Sequence, residues 1–144
     1  MTWFADRGIP RTEAPALLLA LPDIRQATGH DCGDAATACL LAFHGLAANG
    51  RQATATHGTD PVQIEGRLRR LGLAVVAGTM AVDDLRHYCD SKRPVICLVH
   101  WPDGEDSHFV VIRGISRGWV YMHDPIDGLQ KCRIADFEAA WHAE

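Results

Sequence analysis

The chain has 144 residues, 47% of them hydrophobic, which is enough to bury one core and short for two ordinary domains. Its formal charge of −4, with histidine neutral, gives no electrostatic reason to expect nucleic acid, and no basic tract marks a membrane surface. Five cysteines, an odd number with no CxxC among them, argue against a disulfide scaffold and for a reducing compartment, so a soluble, cytoplasmic protein is expected.

Residues 1–21 read as an N-terminal arm. Its apolar run "APALLLAL" is too short to span a bilayer, and no small-x-small cleavage site follows it. Within that run "ALLLAL" suggests a short strand or a helical turn stopped by Pro22. The folded domain is expected over 22–144. Asp31 is a good N-cap, and Asp34 nearly completes a capping box. Ala35, Ala36, Cys39, Leu40 and Phe43 then recur at helical spacing, and Gly45 supplies a stop. A helix over 32–44 follows, with Cys32 in its first turn.

A loop runs to Thr59. "VQIEGRLRRLG" predicts a helix entered through Pro61, "LAVVAG" a short strand, and "AVDDLRHYCDSKR" a second amphipathic helix closed by basic residues. Beyond it the period changes. "PVICLVHW", "HFVVIRGI", "WVYMHD" and "LQKCRI" read as neighbouring strands of a buried sheet, and "ADFEAAWHA" as a closing helix. Helices first and a largely antiparallel sheet second make an α+β domain of two layers.

Cys32 alone has two readings. A helix N-terminus favours a thiolate, and Gly33 leaves the backbone open there; yet a buried cysteine at a helix start is ordinary packing. A nucleophile needs a base. Among eight histidines, His108 opens a strand directly after the polar loop "PDGEDS", which puts it at the rim of a sheet. The strand "WVYMHD" returns from a short turn and ends at Asp124, so hairpin geometry brings Asp124 beside His108. Such pairs are also common as structural ion pairs. Gln26, in the loop entering the helix, can aim its amide at the same point as the Cys32 N–H, where an oxyanion would form. A metal site from His100, His108, His123 and a cysteine lacks HxxxH or CxxC spacing, and no metal or other cofactor is expected.

Gln26, Asp31-Cys32-Gly33, His108-Phe109-Val110-Val111 and Asp124-Pro125, in that order, resemble the motifs of the bacteriocin-processing cysteine peptidases. These papain-like enzymes cut leader peptides after double glycine. The likeness runs from about residue 22 to 142 and takes in "TDPVQIEGRLRRLGLAVVAG" and "FEAAWH". It implies a papain-like fold with N-terminal helices packed on the sheet. It also implies Cys32 as nucleophile, His108 as general base and acid, Asp124 as the residue orienting His108, and Gln26 as oxyanion donor.

The implied partners are a peptide or protein substrate and a separate ABC exporter. No GxxxxGK(S/T) and no membrane span occur in the 144 residues, so the exporter half of the family's function does not carry over. Two alternatives use the same residues or the same cleft: a non-catalytic peptide-binding module, and a deamidase or transglutaminase-type amide-processing enzyme.

Overall fold

In the computed structural model, residues 18–29, 31–46, 60–102, 104 and 107–142 are described. The elements run α1 (Cys32–Phe43), α2 (Pro61–Arg70), α3 (Val82–Asp90), β1 (Val95–Val99), β2 (His108–Ser116), β3 (Trp119–Asp124), β4 (Gly128–Arg133) and α4 (Ile134–Trp141). The four strands form one antiparallel sheet in chain order. Mixed helix and antiparallel sheet is the architecture expected from the sequence.

The layering is richer than the two layers that element order implied. β2 is an inner strand, and its alternate residues feed two separate cores. Val110 and Ile112 pack with Val120 and Met122 against Leu85 and Cys89 of α3 and Phe137 of α4. Phe109 and Val111 pack against Ala36, Cys39 and Leu40 of α1 and Ile64 and Leu68 of α2. An apolar run with no polar alternation is what a strand covered on both faces requires. Each buried Val or Ile here contributes about 1.5–3 kcal/mol.

The α2 start follows expectation. Asp60 accepts from Val62 N at 2.8 Å, and Gln63 Oε1 accepts from Asp60 N at 3.2 Å, so a capping box forms with Pro61 in the first turn. The β2–β3 turn has Arg117 at φ 53° and Gly118 at φ 82°, positive at both central positions as a tight hairpin needs.

Three local expectations change. Residues 73–78 form no strand. Leu73 and Val75 pack inward while Arg69 Nη2 takes the Val75 carbonyl at 2.9 Å, a group that a ladder would use. α3 stops at Asp90, so Lys92 and Arg93 lie past its end. Residues 18–21 are neither strand nor helix. Instead Leu19 N donates to Arg113 O at 2.9 Å, Arg113 Nε donates back to Leu19 O at 2.8 Å, and the Leu19 side chain is buried in the core beside α3 and α4. The remainder of "ALLLAL" lies outside the described residues. Among the described residues, no helix is long and apolar enough to cross a membrane.

Candidate active site

Asp31 stands at the N-cap of α1 but makes no side-chain cap bond to it. Its carboxylate turns back and accepts from Ala27 N at 2.9 Å, Thr28 N at 2.8 Å and Thr28 Oγ1 at 3.1 Å. Asp34, expected to complete a capping box, instead takes Arg67 of α2 at 2.9 Å. The physical consequence is twofold. The loop before Cys32 is fixed by three bonds, and the first N–H groups of α1 keep their positive end for the sulfur.

Cys32 is 8% exposed. Burial pushes its thiol up. Hydrogen bonding with the His108 ring, the Phe109 and Gly33 N–H groups and the charge of His108 outweigh burial and hold it below the ordinary thiol value. His108 shows the mirror image. Burial alone would lower it, but Asp124 and Cys32 together raise it to about 9. A thiol moved down beside an imidazole moved up is the signature of a thiolate–imidazolium pair.

His108 Nε2 lies 2.8 Å from Asp124 Oδ1. Burial raises Asp124, yet its bonds with His108 and with the N–H groups of Ile126 (2.7 Å) and Asp127 (3.3 Å) keep it below the usual carboxylate value. An ionised carboxylate can only accept, so Nε2 carries the proton and Nδ1 is left for the sulfur.

This contact depends on a β-bulge. Near the turn, Ser116 pairs Trp119 and Ile115 pairs Val120; after the break between Ile112 and Gly114, Ile112 pairs Met122 and Val111 pairs His123. Arg113 is the extra residue. Paired residues share a face, and one residue of slip exchanges the faces. In the observed register Asp124 lies on the same face as Val110 and therefore as His108. Without Arg113 it would share a face with Val111 and point away. Cys32 itself packs in the cluster that holds Phe109 and Val111.

Gln26 sits on the same rim. Its N–H donates to Pro125 O at 2.9 Å, which ties it to the residue after Asp124. Its Nε2 donates to Thr28 O at 2.6 Å, and an amide nitrogen has a second hydrogen to offer. So His108 and Asp124 meet directly, Cys32 and His108 shift each other's titration, and Gln26 is tied to both the Asp124 turn and the Cys32 loop.

Two contributors escaped sequence reasoning. The Phe109 N–H is a main-chain donor and has no residue-type signal. The second is a pair, His123 and Asp23. His123 is wholly buried, with its Nε2 at 2.9 Å from Asp23 Oδ1. The strand position of His123 was visible, but its partner was not. The other cysteines are ordinary core thiols: burial pushes Cys39 and Cys89 up to about 12, Cys132 to about 11, and Cys97 higher still.

The chain matches the model of the Peptidase C39 family over residues 21–144. It is 29% identical over 115 residues to the colicin V secretion/processing ATP-binding protein CvaB of Escherichia coli, covering 76% of this chain and 15% of that protein. It is 27% identical over 132 residues to the probable functional amyloid protease FapD of Pseudomonas fluorescens, covering 83% of this chain and 56% of that protein. The chain thus spans only part of each of these relatives.

Among solved structures it resembles a double glycine motif protease from an AMS/PCAT transporter in complex with the leader peptide. The TM-score is 0.69 at 23% identity, covering 87% of this chain and 88% of that one. It also resembles the peptidase domain of Streptococcus ComA, a bi-functional ABC transporter, with a TM-score of 0.65 at 19% identity, covering 86% and 93%. At these identities the likeness establishes the fold.

Proposed function

Because the chain belongs to the Peptidase C39 family of cysteine peptidases, we propose that it cuts peptide bonds with Cys32 as nucleophile, His108 as base and acid, Asp124 as orienting residue and Gln26 as oxyanion donor. The observation that carries this reading is the Cys32–His108–Asp124 arrangement, with the thiol held low and the imidazole raised. In the first step the Cys32 thiolate attacks the carbonyl carbon. The oxyanion is received by the Cys32 N–H and the Gln26 amide, while the His108 imidazolium protonates the departing amine. The thioester that remains is hydrolysed by water whose proton His108 accepts; the sulfur leaves as thiolate, which restores the thiolate–imidazolium pair. Asp124 keeps the ring turned with Nδ1 to the sulfur throughout.

The substrate proposed is a leader peptide cleaved after Gly-Gly, with a separate ABC exporter as the partner that handles the product. The support is that one structural relative is a double glycine motif protease in complex with the leader peptide, and that the others belong to transporters or secretion proteins. The burial of the Cys32 thiol also suits residues without side chains at the cleavage point.

The test uses a fluorogenic peptide carrying Gly-Gly before the scissile bond, together with iodoacetamide. Cys32→Ala should abolish turnover and keep peptide binding. In the wild type, Cys32 should be alkylated at neutral pH far faster than the other four cysteines, read by peptide mass mapping. Uniform alkylation would defeat the activated-thiol reading. Binding without cleavage by the wild type would favour a peptide-binding module, and ammonia release without chain shortening a deamidase.

A further inference from the structure

The segment from Asp23 to Gln26 is fastened to the turn after β3 by contacts that the proposed mechanism leaves unused. His123 Nε2 meets Asp23 Oδ1 at 2.9 Å. Arg25 holds both Asp23 oxygens, Nε at 2.6 Å and Nη2 at 3.2 Å, and donates from Nη1 to Ile126 O at 2.7 Å. Gln26 N donates to Pro125 O at 2.9 Å. Gly128 lies under the guanidinium so closely that a Cβ there would fall 2.3 Å from Arg25 Nη2. The same turn donates Ile126 N and Asp127 N to Asp124.

His123 is 0% exposed, and its Nδ1 has no hydrogen-bond partner among the described residues. A buried imidazole nitrogen without a partner costs stability. A hydrophobic residue would fill this site at less cost, so the contact with Asp23 is what the histidine contributes. Asp23 itself is half exposed, and the other group that holds it, Arg25, is exposed as well, so His123 is its buried anchor.

We propose that Asp23 and His123 form a clasp that positions Gln26 against the Asp124 turn, making both of them positioning residues for the oxyanion donor. This rests on the reading of Gln26 given above. It places the donor and the orienting carboxylate on one rigid turn, so neither can shift without the other. Loss of the clasp lets Gln26 drift while Cys32, His108 and Asp124 keep their own contacts. The expected cost is about tenfold in kcat, below the roughly 10²–10³-fold cost of losing an oxyanion donor outright.

The experiment compares Asp23→Ala, His123→Asn and Asp23→Glu with Gln26→Ala and the Asp23→Ala/Gln26→Ala double variant. With the Gly-Gly fluorogenic peptide, Asp23→Ala should lower kcat about tenfold and leave KM within about twofold, and Asp23→Glu should recover most of it. Alkylation of Cys32 by iodoacetamide needs no oxyanion, so its rate and pH profile should stay unchanged. In the Gln26→Ala background, Asp23→Ala should cost less than about twofold. By NMR hydrogen exchange, the Gln26 N–H should lose protection in Asp23→Ala while the α1 amides keep theirs.

Additive kcat losses, a parallel fall in alkylation, or unchanged Gln26 exchange would each overturn the clasp. Normal turnover by Gln26→Ala would overturn the role of Gln26 and, with it, the clasp's effect on rate. A wild type that never cleaves the probe counts against the Gly-Gly reading or, where it still binds the probe, against peptidase activity, and in either case the exchange measurement still decides the clasp.

Discussion

Two histidine–aspartate pairs lie back to back at one end of the sheet. Asp124 and His123 are consecutive in β3, so their side chains leave opposite faces, one toward His108 and the other toward Asp23. The contacts are nearly identical, at 2.8 and 2.9 Å between Nε2 and Oδ1. What differs is the other ring nitrogen. On His108 it is left for Cys32; on His123 it has no partner among the described residues. A His–Asp contact is therefore a way of fixing a ring. It can act as a base only where the second nitrogen meets a group that gives or takes a proton, and in the proposed mechanism the Cys32 thiol is that group.

Removing the two histidines in turn should separate the pairs most widely. His108→Ala is expected to lower kcat/KM about 10²- to 10⁴-fold, the range for losing a general acid–base. His123→Ala should act in the other direction, costing about 2–4 kcal/mol of stability through a cavity and a lost buried contact, with only about a tenfold fall in kcat. Steady-state kinetics and thermal unfolding on the same samples check both. Equal kinetic losses would erase the distinction between the pairs.

The next largest effect concerns pH. His108 is raised to about 9 and Cys32 lowered, so the charged pair exists between the two apparent values. Activity should follow a bell with its alkaline limb near 9. Asp124→Ala removes a contact that raises His108, so that limb should move downward, with kcat reduced about tenfold. The stability sign is consistent. A histidine raised on folding contributes most below its ordinary value of 6.5 and loses that contribution as pH rises through about 9. The wild type should therefore lose Tm as pH rises from about 6.5 to about 9, and Asp124→Ala should show less of that loss. Titrations of rate and Tm across this range are the measurement.

How much of this was legible in the sequence follows from where the information resides. Cys32, His108 and Asp124 stood out because each is an ionisable residue type at the boundary of an element, where periodicity or turn signals fix its place; Gln26, a loop amide, was singled out by the motif resemblance. Strand order and helix order were legible for the same reason. The bulge was not. "HFVVIRGI" is apolar on both faces, so no alternation reveals that Arg113 is the extra residue, although the facing of Asp124 depends on it. Asp31 stands at the N-cap as expected, but the direction of its side-chain bonds was not legible, because an aspartate before a helix can bond forward or back and the competing donors Ala27 N and Thr28 N carry no residue signature. "LAVVAG" has strand composition but packs one side on the core and gives its Val75 carbonyl to Arg69. Asp23 and His123 are 100 residues apart, beyond any local pattern.

The smallest expected effect tests whether the strap before Gln26 is held by its polar clasp or by packing in general. Cys39 also touches this strap: its Sγ lies 3.4 Å from Pro22 O, and its side chain is fully buried against α2 and β2. A thiol is a weak donor, and Cys39→Ala keeps most of the apolar contact, so the cost should be about 1 kcal/mol in unfolding free energy. If the clasp at Asp23 sets the position of Gln26, Cys39→Ala should change kcat by less than about twofold, since Pro22 lies before Asp23 and the ties at Asp23, Arg25 and Gln26 remain. A loss matching that of Asp23→Ala would mean that the strap moves as one packed unit, with His123 a bystander to it. The two variants differ in chemistry, one ionic and half exposed, the other apolar and buried, so their kcat values measured side by side identify which force holds the oxyanion donor.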